Sequence, residues 1–145
     1  MPPGGKPCQG NAAPVSRVPG TITDGGNVLF TALLGGAGTF NLANGAIATF
    51  NAGAASGSLA NFVSTAGTLD LRSPLSFLAT ISGFGGNDAI DLLATKSTGY
   101  SFNNNVLKIV SGTKSVASLT FTSGYTSADF SVGTDNNGGT MVKYL

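Results

Sequence analysis

The sequence predicts an all-β protein: a short β-solenoid, a β-helix-like stack of coils, preceded by an extended N-terminal arm. A jelly-roll-like β-sandwich is the alternative architecture. Three observations carry this reading. Apolar residues alternate with Thr, Ser and Asn over stretches of about five residues, the period-two pattern of strands. The stretches recur roughly every ten residues between Gly-Gly, Asn-Gly and Asn-Asn corners. No stretch of any length carries helical periodicity.

Residues 1–20 hold five of the six prolines, Pro2, Pro3, Pro7, Pro14 and Pro19. This composition reads as an extended arm with polyproline character. Proline has no N–H to give to a strand ladder, so packing on the body or on a neighbouring subunit would have to hold the arm. Residues 21–145 are expected to form one all-β domain, long enough to bury a core of its own.

Along that domain the strands read as "NVLFTALL" (27–34), "GTFNL" (38–42), "AIATF" (46–50), "TLDLRS" (68–73), "LATISG" (78–83) and "AIDLL" (89–93). They continue as "GYSF" (99–102), "VLKIV" (106–110), "SVASLTF" (115–121), "ADFSV" (128–132) and "TMVKY" (140–144). Only "GSLANFVST" (57–65) leaves room for a turn of helix. Alternation assigns the faces: Phe40, Leu42, Leu69, Leu71, Ile90, Leu92, Leu107, Ile109, Ala117, Leu119 and Phe121 point inward, with Asp70, Asp91 and Lys108 outward. "GTFNL", "GAIATF" and "GTLDL" look like equivalent phrases of a repeat, which favours stacked coils. Asn44-Gly45 keeps a hairpin open as the link between the first two. The longer strands and Asn-rich turns of residues 98–144 suit a hairpin meander capping the stack.

The stretch "SPLSFLATISGFGGNDAIDLLA" and the strands after it resemble the repetitive β-rich passenger regions of large secreted or surface proteins of alphaproteobacteria. Such regions occur in haemolysin-like, autotransporter-like and Hint-bearing chains, adjacent to the calcium-binding RTX type. The resemblance rests on Phe77, Ile81, Gly83, Phe84, Asp88, Ile90, Asp91, Leu92, Tyr100, Asn105, Leu107, Ala117, Leu119, Tyr125, Phe130, Asp135, Gly138, Gly139 and Thr140. It covers residues 68–144, about half the chain, and implies an extracellular solenoid-like module. Members are usually parts of long chains, whereas this one is short and carries its own arm.

Composition narrows the function classes. Net charge is +1 and the seven Lys and Arg are scattered singly, so nothing neutralises a row of phosphates and nucleic acid is not an expected partner. No apolar run approaches the ~20 residues of a membrane span. The start, "MPPGGKPCQG", lacks the apolar core of a signal peptide. Cys8 is the single cysteine, leaving a free thiol or a bond between chains. A Gly/Thr/Ser/Asn-rich chain with few Lys and no Glu matches surface-layer, adhesin and fibre proteins in composition.

Chemistry is sparse. Residues 83–91, "GFGGNDAID", fit the RTX calcium nonapeptide except at Phe84. Asp88, Asp91 and Asp135 are therefore the only metal candidates. Calcium needs about six or more oxygens shared between stacked turns, and no second copy of the motif exists. The competing reading is a corner in which Asp88 satisfies backbone N–H groups and Asp135 caps the "DNNGGT" turn. As a catalytic pair, Asp88 and Asp91 are three apart and face opposite sides of a strand, unlike the facing carboxylates of glycosidases. With neither His nor Glu, the usual general bases are absent. Ser111 to Lys114 and "KSTG" (96–99) echo penicillin-recognising motifs in the wrong order and without the helix those require. The three tyrosines, Tyr100, Tyr125 and Tyr144, are the only sugar platforms besides phenylalanines on core positions.

These readings converge on a non-enzymatic structural subunit of an extracellular or cell-surface assembly, with no cofactor. A homo-oligomer or filament is the expected form, associating through the arm (Pro7, Cys8, Val15, Val18) and through an open edge at the terminal strand (Met141, Val142, Tyr144). The alternative is an adhesion module that binds surface carbohydrate.

Overall fold

Each coil of the chain contributes two short strands, one to each of two facing sheets. The computed structural model describes residues 20–145. The strands are β1 (Thr21–Asp24), β2 (Asn27–Phe30), β3 (Thr39–Leu42), β4 (Ile47–Phe50), β5 (Leu59–Phe62), β6 (Thr68–Leu71), β7 (Thr80–Ser82) and β8 (Ala89–Leu92). They continue as β9 (Gly99–Asn103), β10 (Val106–Ser111), β11 (Lys114–Phe121), β12 (Phe130–Thr134) and β13 (Thr140–Tyr144). Odd-numbered strands of the first half stack parallel as β1-β3-β5-β7, and even-numbered ones as β2-β4-β6-β8. The chain is a β-solenoid of about three turns.

Register is regular. Thr21, Thr39, Leu59 and Thr80 are successive partners in one sheet, and Asn27, Ile47, Thr68 and Ala89 in the other, so a coil takes 18–21 residues. A short third side carries only the isolated bridges Leu34–Ala54 and Ala54–Phe77. The second half caps the stack. β11 adds parallel to β7 and carries β10 and β9 as an antiparallel meander, while β13 adds antiparallel to β8 and carries β12.

One core runs through coils and cap. Phe30 and Phe50 stack with ring centres 4.6 Å apart, and Phe40 and Phe77 meet them edge-on. A second aromatic group, Phe84, Phe102, Phe121, Phe130, Tyr125 and Tyr144, fills the junction between coils and cap. The inward residues expected from alternation are all buried. Outside, Asn41 Nδ2 donates to Thr23 Oγ1, Asn61 Nδ2 to Asn41 Oδ1, and Ser82 Oγ to Asn61 Oδ1. Neighbouring coils about 4.8 Å apart thus bond through side chains as well as backbone.

Several expectations change. Asn44-Gly45 makes no hairpin. Ala46 N–H donates to the Ala43 carbonyl and the chain turns a corner from one sheet to the other, because the strands that bury its neighbours lie one coil away. "GAIATF" and "GTLDL" are stacked equivalents, but "GTFNL" belongs to the opposite sheet, where β5 is its equivalent. Residues 57–65 hold β5, not a turn of helix. The 27–34 strand ends at Phe30, since the third side needs the remaining residues. β13 is not an edge: it lies between β12 and β8, with Val142 buried, so Met141, Val142 and Tyr144 are interior to their sheet. Among the described residues no helix is long and apolar enough to cross a membrane.

Candidate functional site

The Gly-rich corner at residues 82–92 links β7 to β8 and contains most of the chemistry expected from the sequence. Gly83 adopts φ +70° against the Phe62 carbonyl of the preceding coil, a place where a Cβ does not fit. The chain then turns Phe84 into the core, which explains why this position is not the glycine of a calcium nonapeptide.

Asp88 is 2 % exposed. One carboxylate oxygen accepts the Gly85 N–H at 3.0 Å, closing its own turn, and the other accepts the Gly67 N–H at 2.9 Å, one coil below. Burial raises its pKa and these two backbone donors pull it down. Both oxygens are occupied, so Asp88 is a structural clasp between coils.

Asp91 faces out, as strand alternation requires, and pairs in register with Asp70 of β6. The β12–β13 turn brings Asp135 within hydrogen-bonding reach of it. Asp135 Oδ1 also accepts the N–H groups of Asn137 at 2.6 Å and Gly139 at 2.7 Å, which hold its pKa below the ordinary carboxylate value. Asp91 is pushed up to about 6, by desolvation first and then by Asp135 and Asp70. As pH falls through about 6, the first proton taken up by the pair therefore goes to Asp91, and above that pH both carboxyls are charged.

The three calcium candidates thus divide: Asp91 and Asp135 meet, and Asp88 lies on the opposite, buried face. Among the described residues no group of three or more carboxylate, His or Cys side chains is placed to hold a metal. Ser111 and Lys114 flank the β10–β11 turn. Pro7, Cys8, Val15 and Val18 lie outside the described residues.

The Asp91 proton has a measurable consequence. A carboxyl whose folded pKa lies above its unfolded value loses stabilisation as pH rises between them, here from about 4 to about 6. Asp91→Asn keeps a donor toward Asp135 and removes this linkage. The variant is expected to match the parent near pH 4 and exceed it by about 1–2 kcal/mol at pH 8, after solvent screening of a half-exposed group. Urea unfolding at both pH values checks this; an equal difference at both would refute the raised pKa of Asp91.

One feature had no signal in the sequence. A cleft of about 560 Å³ opens where the segment entering β9 faces the β12–β13 turn, with Lys96, Tyr100 and Thr134 among its lining residues. The two lining segments, 96–100 and 132–140, are far apart in the chain and meet only because the two capping meanders end together. No protein-family model matches the chain, and no curated protein sequence matches it.

Proposed function

We propose that this chain is a structural subunit of an extracellular assembly, a surface fibre, matrix or layer, whose copies associate through open strand edges with the N-terminal arm as an added contact. The observation that carries the reading is the state of the four edge strands. Among the described residues no strand pairs with the outer side of β1 or β2 at one end, or of β9 or β12 at the other, where the Phe130 carbonyl takes a bond from the Tyr100 hydroxyl. β2, β9 and β12 contain neither a charged residue nor a proline, and β1 has only Asp24, which points inward. Monomeric proteins usually blunt such edges with Lys, Pro or bulges.

By strand alternation the peptide groups of Thr21, Thr23, Asn27 and Leu29 point away from the stack. The two ends expose the same pair of sheets, so β1 and β2 of one copy suit β9 and β12 of the next. That contact is head-to-tail and does not close, which yields filaments. Asp24 acts against it. It occupies the position that Leu42 and Phe62 fill in later coils, is 5 % exposed, and has an Oδ2 with no partner among the described residues. An inward charge of this kind is a known edge guard, so a stacking copy or the arm must supply a donor there. Composition and the likeness to secreted passenger regions favour the extracellular setting.

Sedimentation and electron microscopy of the full chain test the reading. Filaments or concentration-dependent oligomers are expected. Ser101→Lys should abolish them without lowering the melting temperature, and removal of residues 1–20 should weaken them. A full-length chain that stays monomeric at its solubility limit rules the proposal out.

A further inference from the structure

The cleft between the β9 approach and the β12–β13 turn lies beside the β9 and β12 edges, so the ligand inference it carries is for the single chain and for the uncovered end of an assembly. Its volume, about 560 Å³, lies in the range of small-molecule sites. Several of its polar groups are already engaged within the protein: the Thr98 hydroxyl, for one, lies between the Val110 carbonyl and the Gly112 N–H. Tyr100 is 40 % exposed, but its hydroxyl donates to the Phe130 carbonyl at 3.1 Å. The ring is therefore fixed between the two sheets, and what it offers a ligand is its apolar surface. Thr140 spends its hydroxyl proton on the Thr95 carbonyl at 2.6 Å. Thr134 Oγ1 accepts the Asn136 N–H at 3.0 Å and keeps its own proton to donate. Lys96 is exposed, and no carboxylate lines the cleft with it.

An immobilised ring, an unneutralised ammonium and a free hydroxyl donor ask for one kind of partner. It must be anionic, rich in acceptors, and carry an apolar face about the size of a six-membered ring. We propose that the cleft binds a carboxylated pyranose, a uronic acid unit of an acidic polysaccharide. The sugar carboxylate pairs with Lys96, its C–H face lies on Tyr100, and Thr134 donates to a ring hydroxyl. Lys is suited to a point contact of this sort, and the pair is exposed enough to weaken with salt.

Titration of monomeric protein with D-glucuronic acid, followed by NMR, tests the site, with D-glucose and inorganic phosphate as comparison ligands. Dilution below any association threshold separates failure here from failure of the assembly reading. Saturable binding with Kd on the order of 1 mM is expected for the single sugar, with glucose at least about tenfold weaker. Lys96→Gln should weaken glucuronate binding about tenfold or more while leaving the melting temperature unchanged. Tyr100→Leu should do the same to affinity, whereas Tyr100→Phe, which keeps the ring but frees it from the Phe130 carbonyl, should lose less than Tyr100→Leu does. The proposal fails if glucuronate does not saturate, if glucose binds equally well, or if Lys96→Gln has no effect. Phosphate binding as tight as glucuronate, insensitive to the Tyr100 variants, would also overturn it in favour of a bare anion contact. Should Tyr100→Leu not fold, Lys96→Gln still decides the matter.

Discussion

Gly83→Ala is expected to lower stability by about 3–5 kcal/mol, among the largest effects of any single methyl group in this chain. Two costs add. The left-handed backbone at φ +70° costs a non-glycine residue roughly 1–2 kcal/mol. The new Cβ also overlaps the Phe62 carbonyl and sits 3.1 Å from Asn61 Oδ1. Neither neighbour can retreat. Phe62 ends β5, which is paired on both sides, and the next N–H, that of Val63, is bound to the Leu42 carbonyl at 3.0 Å. Asn61 is held above and below by Ser82 and Asn41. Gly85→Ala supplies the control two residues away: its backbone is unstrained and nothing lies within 4 Å of a Cβ there. That change should stay within about 0.5 kcal/mol. Urea midpoints for both variants, at equal slope, give the comparison; a Gly83→Ala loss below about 1 kcal/mol would mean that the coils can separate at this corner.

Phe84→Ala should cost a similar about 3–5 kcal/mol, and its effect should be uneven along the chain. Phe84 belongs to the last coil, with Phe62 at 5.3 Å between ring centres, yet it also packs on Phe121, Phe130 and Tyr144 of the cap. Its own carbonyl receives the Tyr125 hydroxyl at 2.8 Å. The ring therefore joins two units that otherwise meet along β7–β11 and β8–β13. The coil strands β3 to β6 keep all their hydrogen-bonded neighbours when it is removed. Hydrogen exchange should show β10–β13 losing protection first, with β3–β6 following at higher denaturant. Uniform loss of protection would show coils and cap to be one cooperative unit.

Most strands of this fold can be read from period-two alternation, because each buries one face and exposes Thr, Asn or Ser on the other. β1 escapes that reading because "TITD" places Asp24 where an apolar residue would complete the pattern. Partner choice is less local. Asn44-Gly45 suits a hairpin and a solenoid corner equally well, and the decision depends on a coil some 20 residues further on. The same holds for the site. Asp88 reads as a turn residue, but its bond to Gly67 connects one coil to the next. The "DNNGGT" turn acquires a reason only in three dimensions. Asp135 binds the Gly139 N–H, Gly139 sits against the Leu92 carbonyl where no side chain fits, and the Thr140 hydroxyl reaches the Thr95 carbonyl. The cleft residues carry no pattern at all, since their meeting depends on where two separate meanders stop.

The register of the coils also limits how the molecule can vary in size. β4, β6 and β8 follow one another without a shift, Ile47 over Thr68 over Ala89, and each step repeats the same inward and outward positions. Losing or gaining one residue inside a strand would turn an inward row outward, whereas the corners already absorb the difference between coils of 18 and 21 residues. Losing or gaining a whole coil leaves every row continuous and moves the cap by one strand spacing, about 4.8 Å. The length of such a protein is therefore counted in whole coils, and in-frame duplication of a coil-sized segment is the one change by which it can grow without rebuilding either end.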